Sequence, residues 1–526
     1  MLSSNPSPMS EIWDYIVIGS GFGGSVSALR LAEKGYKVLV IEKGKWYRNP
    51  DDFPKTNWHL RKWLWMPRLG MQGIFKMSFY RHVVALSGVG VGGGSLVYAN
   101  TLPVPEKPFF NSGHWKGLAD WEAELQPYYT IAKKMLGTAP HPYMSISDHT
   151  MKQLAEDEGL TFRKNDVAVY FGKPGETVED PYFDGKGPTR TGCIECGGCM
   201  LGCRYNAKNT LDKNYLHLAQ QLGVKIIAER EVIDVIPDGK HGENGYQVVV
   251  RNTFGWLRKK ERFITKGVIF AGGVTGTVPL LLQLRSSSLP HLSAMTGHGI
   301  RTNSESLIGV TTFDKDKDFS NGIAIGSIVD VDENRHLEPV KYAAGSGFFR
   351  MLMAPMISGP NIIVRLWKII AAFIIHPIDY LKVIFTDDWA KRTQILLYME
   401  SIDSTLRMKK NIFGLTNTQN EKGPSPTAFN PKAQYLAHKT EAIINGKAMV
   451  LNTEALLGIP TTAHILGGAC MGKDAESGVI DNKNKVFNYE NMYVCDGSMI
   501  SSNPGVNPSL SITAISERAM AMIPKK

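Results

Sequence analysis

Four of the six cysteines stand in one short segment of the 526-residue chain. They follow the spacing C-x2-C-x2-C-x3-C and are Cys193, Cys196, Cys199 and Cys203. This spacing is typical of the iron–sulfur run of bacterial ferredoxins, although Arg204 stands where a proline usually follows. The sequence therefore predicts an iron–sulfur cluster. Three alternatives stay open. One is structural zinc, although its ligand pairs are usually separated by a hairpin, and another is disulfides, although a cytosolic chain disfavours them. The third is plain buried thiols.

A glycine-rich segment, Asp14 to Gly44, has the spacing of a dinucleotide site. Gly19, Gly21 and Gly24 form G-x-G-x-x-G between an apolar run and a segment with a helical apolar face. These glycines permit, in order, a tight turn, close approach of the backbone to a pyrophosphate, and packing of helix on strand. Glu42 ends the next apolar run, where a carboxylate can accept hydrogen bonds from a ribose diol. The pattern favours FAD or NAD over NADP.

A second glycine-rich stretch, Gly88 to Ser95, has five glycines in seven positions. Such a composition does not suit a regular strand, so this backbone must approach another group closely or adopt positive φ. A flat ring system lying against the peptide plane would explain it. We assign Gly92, Gly93 and Ser95 to cofactor binding.

The C-terminal part offers a candidate proton acceptor. His464 stands near Gly467 and Gly468 in the segment TTAHILGGACMG, and imidazole, with a reference pKa of about 6.5, can take a hydroxyl proton near neutral pH. A later strand and turn precede a predicted helix with Asn507 as its cap and Pro508 as its first residue. That helix start directs free N–H groups at whatever lies before it, and if this is the pyrimidine edge of a flavin, they would stabilise the anionic reduced ring.

The elements that must position these residues predict an α/β protein. The apolar pattern of strands recurs at Val224 to Ile236 and at Gly267 to Gly273, and these strands extend the sheet begun at Asp14. The alternation of strands and helices is absent from about Ser306 to Glu454, which indicates a separate domain. We predict a Rossmann-type FAD-binding domain interleaved with an α+β substrate-binding domain. The FAD-binding domain takes residues 10–105, 186–305 and 456–526, a cap region takes 106–185, and the substrate-binding domain takes 306–455.

Two segments have the composition of surfaces that meet lipid. Trp58 to Tyr80 alternates aromatic residues and methionine with basic residues, which suits a lid, a lipid interface or a partly buried insertion. Asn361 to Phe385 is strongly apolar but is interrupted by charged residues and Pro377, so it predicts two amphipathic helices rather than a membrane span. These helices are either core helices, slightly favoured, or an interfacial pair.

Composition and charge limit the kinds of partner that we expect. The chain has 59 Lys and Arg against 49 Asp and Glu, but no long basic run and no nucleic-acid-binding signature, so we expect no nucleic acid partner. The surplus suits a solvated surface, or attraction to an anionic membrane or an acidic partner. The polar leader before the first strand has no secretory pattern, and no apolar stretch reaches about 18 residues. The sequence predicts a cytoplasmic location, with peripheral membrane contact as an option.

Taken together, the motifs resemble the glucose-methanol-choline (GMC) flavoprotein oxidoreductases, most closely their cholesterol oxidase-like branch. The resemblance covers nearly the whole chain: GSGFGG, GVGVGGGS, CIECGGCMLGCRYNAKNTLDKNYL, HILGGACMG and GVNPSLSIT occur in the order of that family. It implies noncovalent FAD, a substrate domain that caps the flavin, and His464 and Asn507 facing the flavin. It also implies an active-site glutamate, for which Glu338 is the candidate, although the neighbouring Pro339 is unexpected.

Further residues are assigned through the same resemblance. Val232, Asp496, Gly497 and Pro508 are the remaining predicted FAD-binding positions. Tyr98 departs from the pattern, because the better-known sterol oxidases have asparagine there, so their flavin environment does not transfer directly.

The predicted function is oxidation of the CH–OH group of a small apolar alcohol, a sterol or similar lipid, by hydride transfer to flavin N5. His464 would act as base or as a water-mediated hydrogen-bonding partner, and Asn507 would orient the oxygen or the reduced flavin. The electron acceptor is oxygen or an electron-transfer partner. Two alternatives are an FAD and iron–sulfur alcohol dehydrogenase that passes electrons to a quinone or protein, and a non-catalytic lipid-binding flavoprotein.

Overall fold

The computed structural model describes residues 11–255, 258–402 and 404–526, so the polar leader lies outside the described residues. The strands are β1 (Ile12–Ile18), β2 (Val38–Ile41), β3 (Trp65–Met66), β4 (Met71–Gln72), β5 (Phe75–Phe79), β6 (Val84–Gly88), β7 (Ala139–Pro140), β8 (Thr161–Lys164), β9 (Asp166–Val167), β10 (Thr177–Val178), β11 (Arg190–Thr191), β12 (Lys225–Ile227), β13 (Arg230–Asp238), β14 (Gly245–Asn252), β15 (Lys260–Phe270), β16 (Ser306–Thr312), β17 (Ser327–Asp332), β18 (Arg335–Val340), β19 (Met353–Pro355), β20 (Thr393–Glu400), β21 (Thr405–Lys410), β22 (Thr416–Lys422), β23 (Gly446–Leu451), β24 (Thr461–Thr462) and β25 (Met492–Val494).

The α-helices are α1 (Phe22–Glu33), α2 (Leu60–Trp63), α3 (Lys107–Asn111), α4 (Trp121–Met135), α5 (Ile146–Glu158), α6 (Tyr215–Gln221), α7 (Val274–Arg285), α8 (Ile362–Ile375), α9 (Pro377–Ile384), α10 (Trp389–Arg392), α11 (Pro431–Ile444), α12 (Asn452–Ala455) and α13 (Ser509–Ala521).

The first large sheet carries the nucleotide-binding turn. Its strand order is β12-β2-β1-β15-β14-β13, and β25 also pairs with β15. The pairs formed by β1, β2, β12, β15 and β25 with one another are parallel, and β2 and most of β1 are buried, as strands covered on both faces must be. The predicted α/β fold is confirmed. One detail was wrong: the strand predicted over Val224–Ile236 is two strands, because Glu229 takes a left-handed conformation between them.

The second large sheet is antiparallel, with the order β19-β23-β16-β20-β18-β17-β8. Along β20, Leu396 and Tyr398 pack on one face in an apolar cluster that includes residues of α5 and α11, whereas Ile395 and Leu397 face a different cluster on the other side. Period-two alternation thus gives this sheet one structural face and one face available to line a cavity.

Asn361–Phe385 forms two helices that meet at Pro377, as predicted, but the expectation of core helices was wrong. The apolar side chains of α8 face outward: Trp367 is 67% exposed and Ile374 is 73% exposed. The inward residue is Arg365, whose guanidinium donates to the carbonyls of Leu456 and Gly359. Among the described helices, none is both long and apolar enough to cross a bilayer.

The Trp58–Tyr80 segment is partly core. Trp63 is fully buried and stacks on Phe75, with ring centroids 4.9 Å apart, while Leu69 and Phe79 are exposed. The segment therefore contributes one wall of the interior and a small outer apolar surface.

Candidate active site

One cavity of about 720 Å³ contacts most of the residues that the motifs single out. It contacts the Gly19–Gly21 turn, the start of α7, His464 and Asn507, and the free face of the second sheet. The cavity therefore joins a nucleotide-type groove to an apolar chamber.

The two glycine-rich turns come together at the groove. Gly19 has φ +105° and Gly93 has φ +53°, so both need the left-handed region that glycine adopts at low cost. A Cβ atom on Gly93 would lie 2.6 Å from Cα of Gly21, whereas a Cβ atom on Gly21 would meet no atom within 4 Å. Gly21 thus presents bare backbone to the open groove. A Cβ atom on Gly24 would lie 2.1 Å from the carbonyl oxygen of Gly19, so the predicted helix–strand packing is confirmed.

Glu42 lies at the edge of this groove, buried and hydrogen-bonded. Its Oε2 atom accepts from Ser20 N at 3.2 Å and Ser20 Oγ at 2.8 Å, and its Oε1 atom accepts from Gly44 N at 2.9 Å. A carboxylate has about four lone-pair sites, so capacity for a ribose diol remains. Val232 on β13 lines the same groove.

Two other predicted FAD-binding residues, Ser95 and Asp496, hold backbone groups of the surrounding loops with their side chains. Ser95 Oγ donates to the carbonyl of Gly92 and accepts from Leu211 N, which fixes the turn behind the groove. Asp496 is buried: its Oδ2 accepts from Gly273 N at 2.8 Å, and its Oδ1 accepts from Ser498 N at 2.8 Å. These bonds join two loops beside the cavity, which Asp496 itself and Gly497 also line.

His464, Asn507 and Glu338 meet at the junction of groove and chamber. The Nδ2 atom of Asn507 lies 3.4 Å from Nε2 of His464 and donates to Oε2 of Glu338 at 3.3 Å. His336 Nε2 lies 3.7 Å from Oε1 of Glu338. The structure therefore brings together the three residues predicted to be catalytic, although they stand on separate parts of the chain.

Sequence reasoning missed Glu305, which lies on the other side of the imidazole. Its Oε1 atom is 2.9 Å from Nδ1 of His464. Burial lowers the pKa of His464, but the charge of Glu305, with a smaller contribution from Glu338, outweighs burial, so this pKa is raised above its usual value. The sequence around Glu305 offers only an acidic residue that Ser306 separates from an apolar run, which is too common a pattern to identify a site.

The predicted helix start was displaced by one residue. Helix α13 begins at Ser509 with Pro508 as N-cap, and Asn507 precedes the cap. Ile512 N donates to the carbonyl of Pro508, so the first helical turn closes on the proline. The Asn507 side chain is consequently free to contact His464 and Glu338 rather than its own helix.

The four clustered cysteines do not support the predicted iron–sulfur cluster. Within the described residues, no group of three or more His, Cys, Asp or Glu side chains is placed to hold a metal ion. Three of the thiols pack instead around one small apolar cluster that contains Val167 and Ile323; they are Cys193, Cys199 and Cys203. Burial is the largest effect on Cys196 and raises its pKa to about 12. The thiols behave as small apolar side chains, which was one of the alternatives.

The residues around the groove fit FAD. Three helix starts without side-chain caps line the cavity: those of α1 at Gly21, α7 at Gly273 and α13 at Pro508. Free N–H groups at helix starts bind anionic groups. Lys43 and Lys76 also line it, and the Lys43 charge, together with burial, lowers the pKa of Lys76 to about 7, a shift that a nearby phosphate would oppose.

The groove for the nucleotide lies at a Rossmann-type sheet, and the imidazole of His464 and the amide of Asn507 lie at the far end of that groove. This arrangement defines a flavin-dependent oxidoreductase. Sequence models of the GMC oxidoreductase family match residues 189–299 and 386–516, and an FAD-binding domain model matches residues 14–48. The chain belongs to the GMC oxidoreductase family, in its cholesterol oxidase-like branch. It is an FAD-dependent alcohol oxidase or dehydrogenase, so the non-catalytic alternative is not supported.

Individual relatives agree with this placement. A cholesterol oxidase of Acinetobacter baumannii is 42% identical over 98% of this chain and 95% of that protein, and one of Mycobacterium tuberculosis is 42% identical over 98% and 92%. A long-chain-alcohol oxidase of Arabidopsis thaliana is 24% identical over 95% of this chain and 65% of that protein. The fold also resembles the pyridoxine 4-oxidase of Mesorbium loti, with a TM-score of 0.62 at 12% identity over 97% of this chain and 98% of that one.

Proposed function

We propose that this protein oxidises the hydroxyl group of a sterol or similarly large apolar alcohol, that molecular oxygen is its electron acceptor, and that it takes its substrate from a membrane surface. The observation that carries the proposal is the apolar chamber that ends at His464 and Asn507, with Glu338 buried behind Asn507. The names of the relatives at 42% identity support a sterol.

The chamber has the lining that a rigid apolar molecule requires. Its walls are aromatic and branched aliphatic side chains, among them Phe75, Leu307, Ile325, Val340, Tyr342, Phe349, Met353, Trp389, Ile395, Leu397 and Leu451. Transfer of apolar surface from water into such a chamber contributes roughly 25 cal/mol per Å². A short polar alcohol would leave most of this surface without contacts, so the chamber favours a large substrate.

The polar end of the chamber supplies the proton chemistry. FAD bound in the groove would supply the acceptor for the two electrons that leave the carbinol carbon as hydride. His464 and Asn507 line the cavity; His464 Nε2, which contacts Asn507 Nδ2, would take the hydroxyl proton, and the Asn507 amide would hold the oxygen in line. Glu338 is fully buried behind Asn507, and its Oε2 atom accepts from the Asn507 amide at 3.3 Å, so it helps to hold that amide in place.

Oxygen is the favoured acceptor for two reasons. The relatives at 42% identity carry the name oxidase. Three of the four thiols that a dehydrogenase with a cluster would need as ligands, Cys193, Cys199 and Cys203, pack against apolar side chains.

The outward face of α8 and α9, which we call the apolar face, is the proposed membrane contact. It consists of Ile362, Ile363, Leu366, Trp367, Ile370, Ile374, Ile375, Ile378, Leu381 and Phe385, each at least 40% exposed. Arg365 anchors the unit from inside through backbone carbonyls, so the helices are held with their apolar side outward. Met353 packs in a cluster with Tyr380 and Val383 of α9 and also lines the chamber. The apolar face is therefore adjacent to the substrate chamber, and the net charge of +10 favours an anionic lipid surface.

The substrate is tested by anaerobic bleaching of the flavin with sterols, long-chain alcohols and short alcohols. Leu397→Ala removes a wall of the chamber and should lower kcat/KM for a sterol about 10-fold, the effect of about 1.4 kcal/mol of lost contact, with little change for a short alcohol. Leu396→Ala is the matched control, because it deletes the same side chain from the other face of β20. Turnover of short polar alcohols alone would contradict the proposal.

Membrane contact is tested by flotation with vesicles of neutral and anionic lipid. Binding should strengthen with anionic lipid and weaken with salt. Trp367→Glu should abolish flotation. Leu222→Glu, which changes an exposed apolar residue outside the apolar face, should not. A protein that stays with the unbound fraction under all these conditions would show that the apolar face has another role.

A further inference from the structure

Glu305 is a fully buried carboxylate whose contacts converge on the segment that carries His464. Only 1% of its surface is exposed. Oε1 lies 2.9 Å from Nδ1 of His464 and accepts from Thr462 Oγ1 at 2.6 Å, while Oε2 accepts from Ala463 N at 2.7 Å. The same Thr462 hydroxyl accepts from His464 N at 3.0 Å. The carboxylate thus contacts three consecutive residues and is not exposed to solvent.

The chain builds this contact through backbone pairing. Arg301 N donates to Leu466 O at 2.8 Å, and Leu466 N donates back to Arg301 O at 2.9 Å. Between this pair and β16, Ser304 takes φ +46°, a conformation that costs a non-glycine residue free energy. Glu305 follows at once, beside the imidazole. Strained backbone of this kind persists where the surroundings fix it, and here the fixed feature is the position of the carboxylate.

The two sides of the imidazole have opposite hydrogen-bonding character. Nδ1 faces a carboxylate, which can only accept, so Nδ1 carries a proton. The 2.9 Å contact has the geometry of an ion pair rather than of a straight hydrogen bond. Nε2 faces the amide nitrogen of Asn507, which can only donate. In the neutral imidazole the lone pair therefore lies on Nε2, on the side of Asn507, and both side chains line the cavity.

We propose that Glu305 is a positioning residue for His464: it holds the Nδ1–H tautomer, keeps the Nε2 lone pair on the side of Asn507, and increases the basicity of that atom toward the substrate hydroxyl. This inference deepens the proposed function, since it rests on His464 as the proton acceptor. The proton leaves the substrate oxygen and binds Nε2, and Glu305 stays ionised opposite the resulting imidazolium.

The surrounding titratable groups set the sign of the effect. Glu305 and Glu338 face the imidazole from opposite sides, and His336 lies beyond Glu338. Burial would raise the pKa of Glu305, but the His464 charge and hydrogen bonds outweigh it, so this pKa is lowered. Behind Glu305 stands Glu454, whose pKa burial raises to about 8, with a smaller contribution from the Glu305 charge. Glu454 is thus protonated near neutral pH and adds little negative charge to the pair.

The test is the pH dependence of flavin reduction in anaerobic stopped-flow experiments on the holoenzyme with a sterol. In the wild type the rate should rise with pH through the raised pKa of His464. Glu305→Gln should move this inflection to lower pH and lower the plateau about 10- to 100-fold, because the imidazole becomes a weaker base in a less defined tautomer. Glu305→Asp, which keeps the charge, should return the inflection toward the wild-type pH.

The matched control is Glu454→Gln, since it changes a buried glutamate that is already protonated below about pH 8 and does not contact His464. Its inflection should stay at the wild-type pH. An unmoved inflection in Glu305→Gln, or an equal shift in Glu454→Gln, would overturn the proposal. If His464→Ala reduces flavin at the wild-type rate, the proposed function itself is wrong, and that result is distinct from either outcome.

A readout independent of catalysis is the pH dependence of Tm. A raised His464 pKa stabilises the fold below its unfolded value of about 6.5, and this contribution is lost as pH rises through the folded pKa. A lowered Glu305 pKa stabilises the fold above about 4.3 and this contribution is lost as pH falls. The Tm difference between wild type and Glu305→Gln should therefore be largest near about pH 6 and shrink toward about pH 9. A difference that is constant with pH would indicate a purely structural glutamate.

Discussion

The Nδ2 atom of Asn507 lies 3.4 Å from the Nε2 atom of His464. The same amide group donates to Glu338, so it bridges a base and a carboxylate at the end of the apolar chamber. Neither contact is short, and a substrate hydroxyl can replace the amide at His464 without leaving a buried group unpaired. This arrangement suits a site that must exchange one hydrogen-bond partner for another in each turnover.

His464→Ala should lower the rate of flavin reduction at least about 100-fold while FAD stays bound, because the substrate proton loses its acceptor. The measurement is anaerobic stopped-flow absorbance with a sterol. His438→Ala, at a side chain that is 59% exposed, should reduce flavin at the wild-type rate. Equal rates in both variants would remove His464 from the chemistry.

Asn507→Leu should slow flavin reduction and also make the flavin harder to reduce. The leucine cannot donate to the substrate oxygen or the reduced ring, and it leaves Glu338 Oε2 without its Asn507 donor. Redox titration against a reference dye measures the second effect. If only FAD affinity falls, Asn507 is a structural residue before α13.

Gly21→Val should give a folded protein without flavin. The backbone at Gly21 is extended, and a Cβ atom there meets no protein atom within 4 Å, so the fold tolerates the side chain. The valine would occupy the position where a pyrophosphate must approach. Thermal unfolding and the flavin absorbance of the purified protein check both halves, and retained yellow colour would place the phosphates elsewhere.

Gly93→Ala should destabilise the protein and reduce its FAD content. The methyl group would lie 2.6 Å from Cα of Gly21, and the backbone at φ +53° disfavours a side chain by roughly 1–2 kcal/mol. Gly117→Ala separates the two causes, since Gly117 also has positive φ but open space around it. A similar loss of Tm and flavin in both variants would show that close approach of the two turns is unimportant.

The Cys196 thiol should be inert in the native protein. With a pKa of about 12, Cys196 is roughly one part in 10⁴ thiolate at pH 8, so iodoacetamide should modify it slowly until urea is added. Mass spectrometry of peptides reports each site. In protein made with ample iron and cluster-assembly factors, iron should be well below one atom per chain; three or four atoms per chain would restore the cluster hypothesis.

The sequence predicted what depends on local pattern. Gly19, Gly21 and Gly24 carry conformational information in their own residue type, so the turn, the strand and the helix could be located. The outward direction of the apolar side of α8 was missed, since an apolar stripe in a sequence looks the same whether it faces the core or solvent. In the structure, the burial of Arg365 and the exposure of Trp367 show which side faces outward. Glu305 was missed because its role arises from a contact across 159 residues of chain with His464. The cysteines misled because spacing alone does not fix where four side chains point.

The pairing of β25 with β15 and the packing of α13 on α1 have a consequence for biosynthesis. The turn at Gly19–Gly24 is synthesised well before a strand and a helix that complete its sheet, and Arg30 of α1 is separated by 487 residues from its ion-pair partner Glu517 in α13. At 5–20 residues per second this delay is roughly 25–100 s. The apolar strands of the nascent chain therefore stay unpaired during this time, and we expect a chain truncated before Met492 to lose FAD and to aggregate.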